Sequence, residues 1–212
     1  MPVTIPDTTA FTAAYPFAQL PLVLHFPEGK RLTEDEYYDF CMANPDLRLE
    51  QAATGEIIIM SPTGGGTSDR NSEINMQLRM WAKRDGTGKA FESNAEFRLP
   101  KGSARSPDAS WVKLSRWNRL SVEEQEVFPP LCPEFVLELR SKSDRLTTLQ
   151  KKLVEYIDNG AQLGWIVDPL QKQVHVYRPG QAPVILDQPT SVSGDPELPG
   201  LVLDLREIWP AQ

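Results

Sequence analysis

Cysteine and histidine are scarce in this sequence, which has two of each among 212 residues. Cys41 lies in a segment with helical periodicity and Cys132 enters an apolar, strand-like segment, so the two offer no basis for a disulfide framework or a zinc site. We expect both to be reduced residues that pack in the interior. His25 and His175 share no spacing with other ligand-type residues, which argues against a histidine-based metal site and a Ser-His-Asp triad.

Long hydrophobic runs are also absent. Apolar stretches such as residues 57–60 are far shorter than the roughly 20 residues that a membrane-spanning helix needs. Residues 1–15 contain neither lysine nor arginine and no sustained apolar stretch, unlike a secretory signal. The sequence therefore predicts a protein that does not enter the membrane and that resides in the cytoplasm.

Basic residues are outnumbered, because 22 Lys and Arg face 29 Asp and Glu and the formal net charge is −7. A protein that coats nucleic acid by bulk electrostatics needs clustered positive charge to neutralise phosphates, so this balance argues against that class. It still permits a local basic rim. Acids gathered around a metal ion would themselves add to the negative count.

The composition is that of one folded domain, with 40% hydrophobic and 24% charged residues. Residues 1–31 contain several prolines without clear periodicity, which predicts an extended arm over the body of the protein. Residues 32–212 are predicted to form the domain itself.

Helical and strand patterns alternate along that domain. Thr33 and Glu36 have the spacing of a capping box and predict the start of a short amphipathic helix. Apolar periodicity predicts the other elements and an α/β fold whose core runs helix, three strands, helix, strand. The predicted helices are 32–42, 68–84 and 145–159; the predicted strands are 47–51, 56–60, those within 86–99, 106–114, 132–140, 163–169, 173–178 and 201–205, with 179–200 as loop or edge.

Two of the strand-like segments each carry one acid where an apolar residue is expected. Asp108 follows Pro107, and Glu138 lies between Leu137 and Leu139. A carboxylate on a buried strand is costly unless it is paired, protonated or bound to a cation. Two such acids on neighbouring strands predict a divalent metal site.

Each acid also has a structural interpretation. Asp108 could cap a turn, since aspartate is common after proline in turns. Glu138 could face solvent from an edge strand, although the apolar residues 135–137 and Leu139 indicate a central strand. The pairing of the two acids favours the functional interpretation over the structural one.

Five short motifs follow one another along the chain, at residues 60–64, 105–108, 133–141, 156–160 and 165–169. Together with the order of helices and strands, and with Asp108 and Glu138 on successive strands, this ordered set resembles the PD-(D/E)xK restriction-endonuclease-like superfamily and, more narrowly, the bacterial Uma2 family of endonucleases, formerly a domain of unknown function. The resemblance covers residues 32 to 210.

The resemblance implies a DNA endonuclease that hydrolyses phosphodiester bonds with Mg²⁺ or Mn²⁺. Asp108 and Glu138 would be the metal ligands, and the backbone carbonyl of Leu139 would add a third oxygen. It also implies secondary catalytic acids at Glu73, on the long helix, and at Glu50, on the early hairpin, although each alone is more often structural. By analogy with related nucleases, the protein is expected to form a homodimer.

The sequence departs from the superfamily pattern at Arg140, where a lysine is usual. Arginine stays protonated at neutral pH, so it could bind phosphate but would be a poor general base. In the resembling family the lysine lies on the following helix, where Lys151 and Lys152 are the candidates. At about 100° per residue, Lys152 lies beside the apolar face and Lys151 nearly opposite it, which favours Lys152.

Two further features bear on substrate contact. The glycines 64–66 precede a predicted helix but lack the Gly-Lys-Ser/Thr ending of a nucleotide-binding loop, so a flexible turn is the first interpretation. A basic rim is expected from Arg70, Lys83, Arg84, Lys142 and Arg145, or these are ordinary surface charges.

Two alternatives to the endonuclease stay open, a non-catalytic nucleic-acid-binding or protein-interaction domain that keeps the fold, and hydrolysis of another phosphoester. An open groove where Asp108, Glu138 and Lys152 converge would favour an enzyme; a blocked groove would favour the binding domain.

Overall fold

The computed structural model describes residues 21–27 and 30–210. The arm predicted for residues 1–31 therefore lies mostly outside the described residues. The helices are α1 (Glu34–Ala43), α2 (Gly65–Asp85), α3 (Leu114–Trp117), α4 (Val122–Glu126) and α5 (Leu146–Asp158). The strands are β1 (Leu22–Leu24), β2 (Leu49–Gln51), β3 (Ile57–Ile59), β4 (Gly88–Glu92), β5 (Phe97–Arg98), β6 (Ala104–Arg105), β7 (Ala109–Lys113), β8 (Phe135–Leu139), β9 (Leu163–Asp168), β10 (Gln173–Tyr177), β11 (Val184–Asp187), β12 (Ser191–Ser193) and β13 (Val202–Asp204).

A six-stranded sheet forms the centre, in the order β11-β10-β9-β8-β7-β4. Its neighbouring strands run antiparallel except β8 and β9, which are parallel. Parallel neighbours need a crossover, and α5 supplies it. The elements α2, β4, β7, β8, α5 and β9 run helix, three strands, helix, strand, so the predicted α/β class is confirmed.

A five-stranded sheet, in the order β1-β3-β2-β6-β5, lies beside the first. It carries the predicted hairpin, β2 with β3, and is packed by α1 through Tyr37 and Cys41. The predicted capping box of Thr33 and Glu36 is present at the start of α1. The strands expected within 86–99 are divided between the two sheets, because β4 joins the six-stranded sheet and β5 the five-stranded one.

The two faces of β8 contact different partners. Phe135, Leu137 and Leu139 pack in the cluster that contains α2, while Val136 packs in the cluster that contains α5. Since side chains alternate along a strand, Glu138 shares the α5 face with Val136. The side-chain period of two therefore turns this acid toward the helix that carries Lys152.

Several boundaries differ from the predicted ones. Helix α2 begins at Gly65 with Gly64 as its N-cap, so the glycines form the start of the helix rather than a separate flexible turn. The segment 179–200 contains β11 and β12, and the loop between β7 and β8 contains α3 and α4. Cys41 and Cys132 are buried and free, as expected. Among the described helices, none combines the length and apolar character needed to cross a membrane.

Candidate active site

A cleft of about 1440 Å³ opens where the two sheets meet. It is lined by residues of β2, by the first turns of α2 and α5, and by the loop that follows β8. Asp108, Glu138, Leu139, Lys152 and Glu50 all line it. The structure thus brings together four predicted side chains and the predicted backbone carbonyl from four separate segments of sequence.

Asp108 is half-buried and lies one residue before β7, not within a strand as predicted. Its Oδ2 accepts a hydrogen bond of 2.8 Å from the backbone N–H of Leu139. Its backbone carbonyl accepts one of 2.9 Å from Asn75 Nδ2, on α2. Burial raises the pKa of Asp108, while the Leu139 N–H and Lys152 oppose that rise.

The backbone of Leu139 faces the side chain of Asp108. In an extended residue the N–H and C=O face the same neighbouring strand. Because its N–H reaches Asp108 Oδ2, its carbonyl oxygen is directed toward the Asp108 side of β8. The backbone oxygen expected to act as a third ligand is therefore on the appropriate side.

Glu138 is 4% exposed and is held by its Oε1. That oxygen lies 2.9 Å from Lys152 Nζ and accepts a hydrogen bond of 3.1 Å from the Tyr156 hydroxyl. Within the described residues, Oε2 has no hydrogen-bond partner. Burial, together with Asp108 and Glu50, raises the pKa of Glu138 to about 8, although Lys152 opposes the rise.

Lys152 reaches the cluster from α5, and its side chain is 11% exposed. Its Nζ lies 2.7 Å from Glu50 Oε1 and 2.9 Å from Glu138 Oε1. Burial disfavours the charged amine, but the two carboxylates outweigh it and raise the pKa of Lys152 above its usual value. Lys151 is exposed, so the orientation inferred from helical periodicity agrees with the structure.

Glu50 completes the pairing of Lys152 from the five-stranded sheet. Its carboxylate accepts a hydrogen bond of 3.0 Å from the Ser106 N–H and lies 3.2 Å from Arg105 Nη1. Burial disfavours ionisation, yet Lys152 and Arg105 together lower the pKa of Glu50. Arg105 is in turn paired with Glu155 of α5 at 2.7 Å. This chain of charges connects both sheets to α5.

Glu73 does not join the cluster. It is not among the residues that line the cleft, and its Oε1 accepts a hydrogen bond of 2.8 Å from Gln77. Helix α2 faces Asp108 with Asn75, and a residue two positions away points about 200° around the helix. The supporting role suggested for Glu73 by resemblance therefore lacks the geometry it needs.

Three side chains of the cluster were not singled out from the sequence. Arg105 and Asn75 gave weak signals, a charge in a two-residue strand and an amide in a helix interior. Tyr156 gave none, because it lies on the apolar stripe of α5, where a core role is the ordinary one. Its hydroxyl contact with Glu138 depends on the packing of α5 on β8.

The donor set suits a hard cation. Within residues 21–27 and 30–210 no group of three or more His, Cys, Asp or Glu is placed to hold a metal. Mg²⁺, however, usually keeps several waters and binds one or two carboxylates plus substrate phosphates. Asp108, Glu138 and the Leu139 carbonyl offer two carboxylates and one neutral oxygen, which fits that mode.

Only part of the predicted basic rim lies at the cleft. Arg70, Lys142 and Arg145 line the cleft, whereas Lys83 and Arg84 do not. Arg140 also lines it, with its guanidinium Nη1 2.7 Å from Asp168 Oδ2. Positive side chains thus line the same cleft as the acids, despite the net negative charge of the chain.

A family model described as "Putative restriction endonuclease" matches residues 34–206. The chain belongs to the Uma2 family. The match runs from the first residue of α1 to just beyond β13, so it includes every residue of the cluster.

One solved structure has the same fold as this Uma2 chain. It is the crystal structure of "a putative nuclease belonging to DUF820" from Anabaena variabilis ATCC 29413, which is 25% identical in sequence. The TM-score is 0.69, and the alignment covers 84% of this chain and 97% of the other. No curated protein matches the chain.

Proposed function

We propose that this chain is a metal-dependent DNA endonuclease that hydrolyses phosphodiester bonds with Mg²⁺ or Mn²⁺. One observation carries the proposal: Asp108, Glu138 and Lys152 converge in an open cleft. Asp108 Oδ1 and Glu138 Oε2 have no hydrogen-bond partner among the described residues, so both remain free to bind a cation. The family and the solved nuclease support the same reaction class.

Asp108, Glu138 and the Leu139 carbonyl would hold the ion. When bound, it would polarise a phosphoryl oxygen and lower the pKa of a water molecule. The raised pKa of Lys152 keeps its amine protonated at neutral pH. Lys152 is therefore suited to orient water and to neutralise charge on the phosphate, and not to act as a general base. Glu50 would hold that amine beside Glu138.

A binding domain without catalytic activity would be favoured by a blocked groove or by a Lys152 that faces away. In the described part of the chain, the groove is open and Lys152 lies 2.9 Å from Glu138. These observations favour the enzyme. A homodimer that cuts both strands and a cytoplasmic location stay predictions, and sedimentation of the purified protein would test the first.

The test is cleavage of supercoiled and single-stranded DNA with Mg²⁺ or Mn²⁺. Wild type should nick DNA only with metal, and Asp108→Ala should abolish nicking. Asp69→Ala is the matched control, because Asp69 is an exposed acid outside the cleft, and it should cleave like wild type. Cleavage that is unaffected by Asp108→Ala, or its absence from the wild type, would overturn the proposal.

A further inference from the structure

Arg140 occupies a defined position relative to the proposed metal ligands. It follows β8 directly, and its N–H donates a hydrogen bond of 2.9 Å to Val167 O, which continues the pairing with β9. Arg140 lies two residues beyond Glu138, so the two side chains point to the same face of the strand and their Cα atoms are about 7 Å apart. Arg140 lines the same cleft as Glu138.

The guanidinium of Arg140 is fixed at two points. Nη1 lies 2.7 Å from Asp168 Oδ2, and Nε donates to the carbonyl of Asp144 at 3.3 Å. Asp168 is itself immobilised, because it is 0% exposed and its Oδ1 accepts hydrogen bonds from the N–H groups of Leu170 and Gln171. The anchor is thus a buried carboxylate whose two oxygens are both engaged.

One edge of the guanidinium remains free. Nη2 has no acceptor among the described residues, and the side chain is 17% exposed and lines the cleft. A buried ion pair adds little net stability, so stabilisation alone explains the arrangement poorly. A planar guanidinium can instead keep one edge on a carboxylate and present the other to phosphate oxygens, which a lysine cannot do.

We propose that Arg140, positioned by Asp168, binds a phosphate of the nucleic-acid backbone next to the phosphate that is cleaved. This inference rests on the proposed function, since it assumes a nucleic-acid strand in the cleft. The charge of arginine persists at any working pH, and the anchored side chain loses little freedom on binding. Arg140 would therefore contribute to substrate affinity, while Asp108, Glu138 and Lys152 carry out the reaction.

The experiment compares two double variants, each with unchanged net charge. Arg140→Gln/Asp168→Asn removes the cleft pair. Arg178→Gln/Glu197→Gln is the control and removes an ion pair outside the cleft, in which the two side chains are 3.0 Å apart. Like Arg140, Arg178 also donates a hydrogen bond to a backbone carbonyl, that of Asp195. Binding of a labelled single-stranded oligonucleotide is measured by anisotropy in EDTA, which prevents cleavage, and cleavage is then measured with Mg²⁺.

The cleft variant should bind about tenfold more weakly, the typical effect of losing one charge-assisted hydrogen bond. In cleavage the loss should appear in KM, with kcat changed less than about threefold. The control variant should match wild type in both. Arg140→Lys keeps the charge but loses the planar guanidinium, and it should still weaken binding several-fold. If circular dichroism shows that the double variant does not fold, the Arg140→Lys variant provides the test.

Two outcomes would overturn the inference, and they are distinguishable. If wild type binds and cleaves DNA while the folded Arg140 variants bind equally well, the inference fails and the endonuclease proposal stands. If wild type neither binds nor cleaves, the proposed function fails, and the inference fails with it.

Discussion

Two glutamates at opposite ends of the same strand have different surroundings. Glu134 immediately precedes β8 and Glu138 lies near its other end, four residues on, so their side chains share one face. They are 5% and 4% exposed, respectively. Burial is therefore the same for both, and the difference lies in their partners.

Glu134 is satisfied at both oxygens. Oε2 accepts a hydrogen bond of 3.0 Å from the Lys113 N–H, and Oε1 lies 2.8 Å from Arg116 Nη1. Glu138 shares its cation with Glu50 and leaves Oε2 without a partner among the described residues. A buried acid with a free oxygen in a cleft is poorly explained by stability, which is why we assign a functional role to Glu138 and a structural role to Glu134.

The largest effect is expected from Glu138→Gln set against Glu134→Gln. Loss of a metal ligand should reduce cleavage on the order of a thousandfold, because a bound cation contributes several kcal/mol to transition-state stabilisation. Mg²⁺ should raise the melting temperature of the wild type but not that of Glu138→Gln. Glu134→Gln should cleave normally but unfold more easily, because it leaves the Arg116 charge unpaired. Equal losses of activity in folded variants would remove the distinction between the two acids.

Exchanging Lys152 and Lys151 for methionine should give the next largest difference. Lys152→Met leaves Glu50 and Glu138 facing each other without their shared cation, which should destabilise the fold by about 3 kcal/mol. Cleavage should fall about a hundredfold, because the amine no longer neutralises charge on the phosphate. Lys151→Met, one residue away and exposed, should change stability little. Urea unfolding with a cleavage assay measures both, and a Lys151 variant that is equally impaired would contradict the assignment.

Glu96 extends the comparison to a third buried glutamate that also lines the cleft. Burial raises its pKa to about 8 from 4.5, and Glu50 adds to the rise, although the 2.7 Å hydrogen bond from Tyr37 opposes it. Between those pH values the folded protein binds a proton that the unfolded chain has released. Stability from this group is thus present below pH 4.5 and is lost as pH rises toward 8.

Glu96→Gln should remove that loss. Its unfolding free energy should stay close to that of wild type near pH 4.5 and exceed it by about 2 kcal/mol at pH 8. Glu92→Gln, at the exposed end of β4, is the control and should follow wild type throughout. Urea unfolding across this range measures the difference, and a variant whose stability declined as steeply as that of wild type would refute the assignment.

What could be predicted from the sequence was local or periodic. The capping box of α1 involves residues three apart, and the positions of Lys151 and Lys152 follow from the period of α5. The charge of Glu138 was visible against its apolar neighbours. Each of these signals lies within one element, where spacing determines geometry.

What could not be predicted depends on contacts between distant segments. Strands β5 and β6 have two residues each and pair in a sheet different from that of β4, which no local pattern indicates. Glu73 was placed by resemblance, and the facing of α2 turned it away from the cleft. The link from Arg105 to Glu50 joins residues 55 apart in sequence and required the assembled sheets.

The smallest predicted effect concerns Tyr156, whose hydroxyl is the second group that holds Glu138 Oε1. Tyr156→Phe removes one hydrogen bond from a buried carboxylate and keeps the ring, so stability should fall by about 1 kcal/mol and cleavage by about threefold. Tyr177→Phe removes a hydroxyl from the same apolar cluster that has no hydrogen-bond partner among the described residues, and it should do neither. If both variants behave alike, the hydroxyl does not position Glu138, and Lys152 alone holds its Oε1.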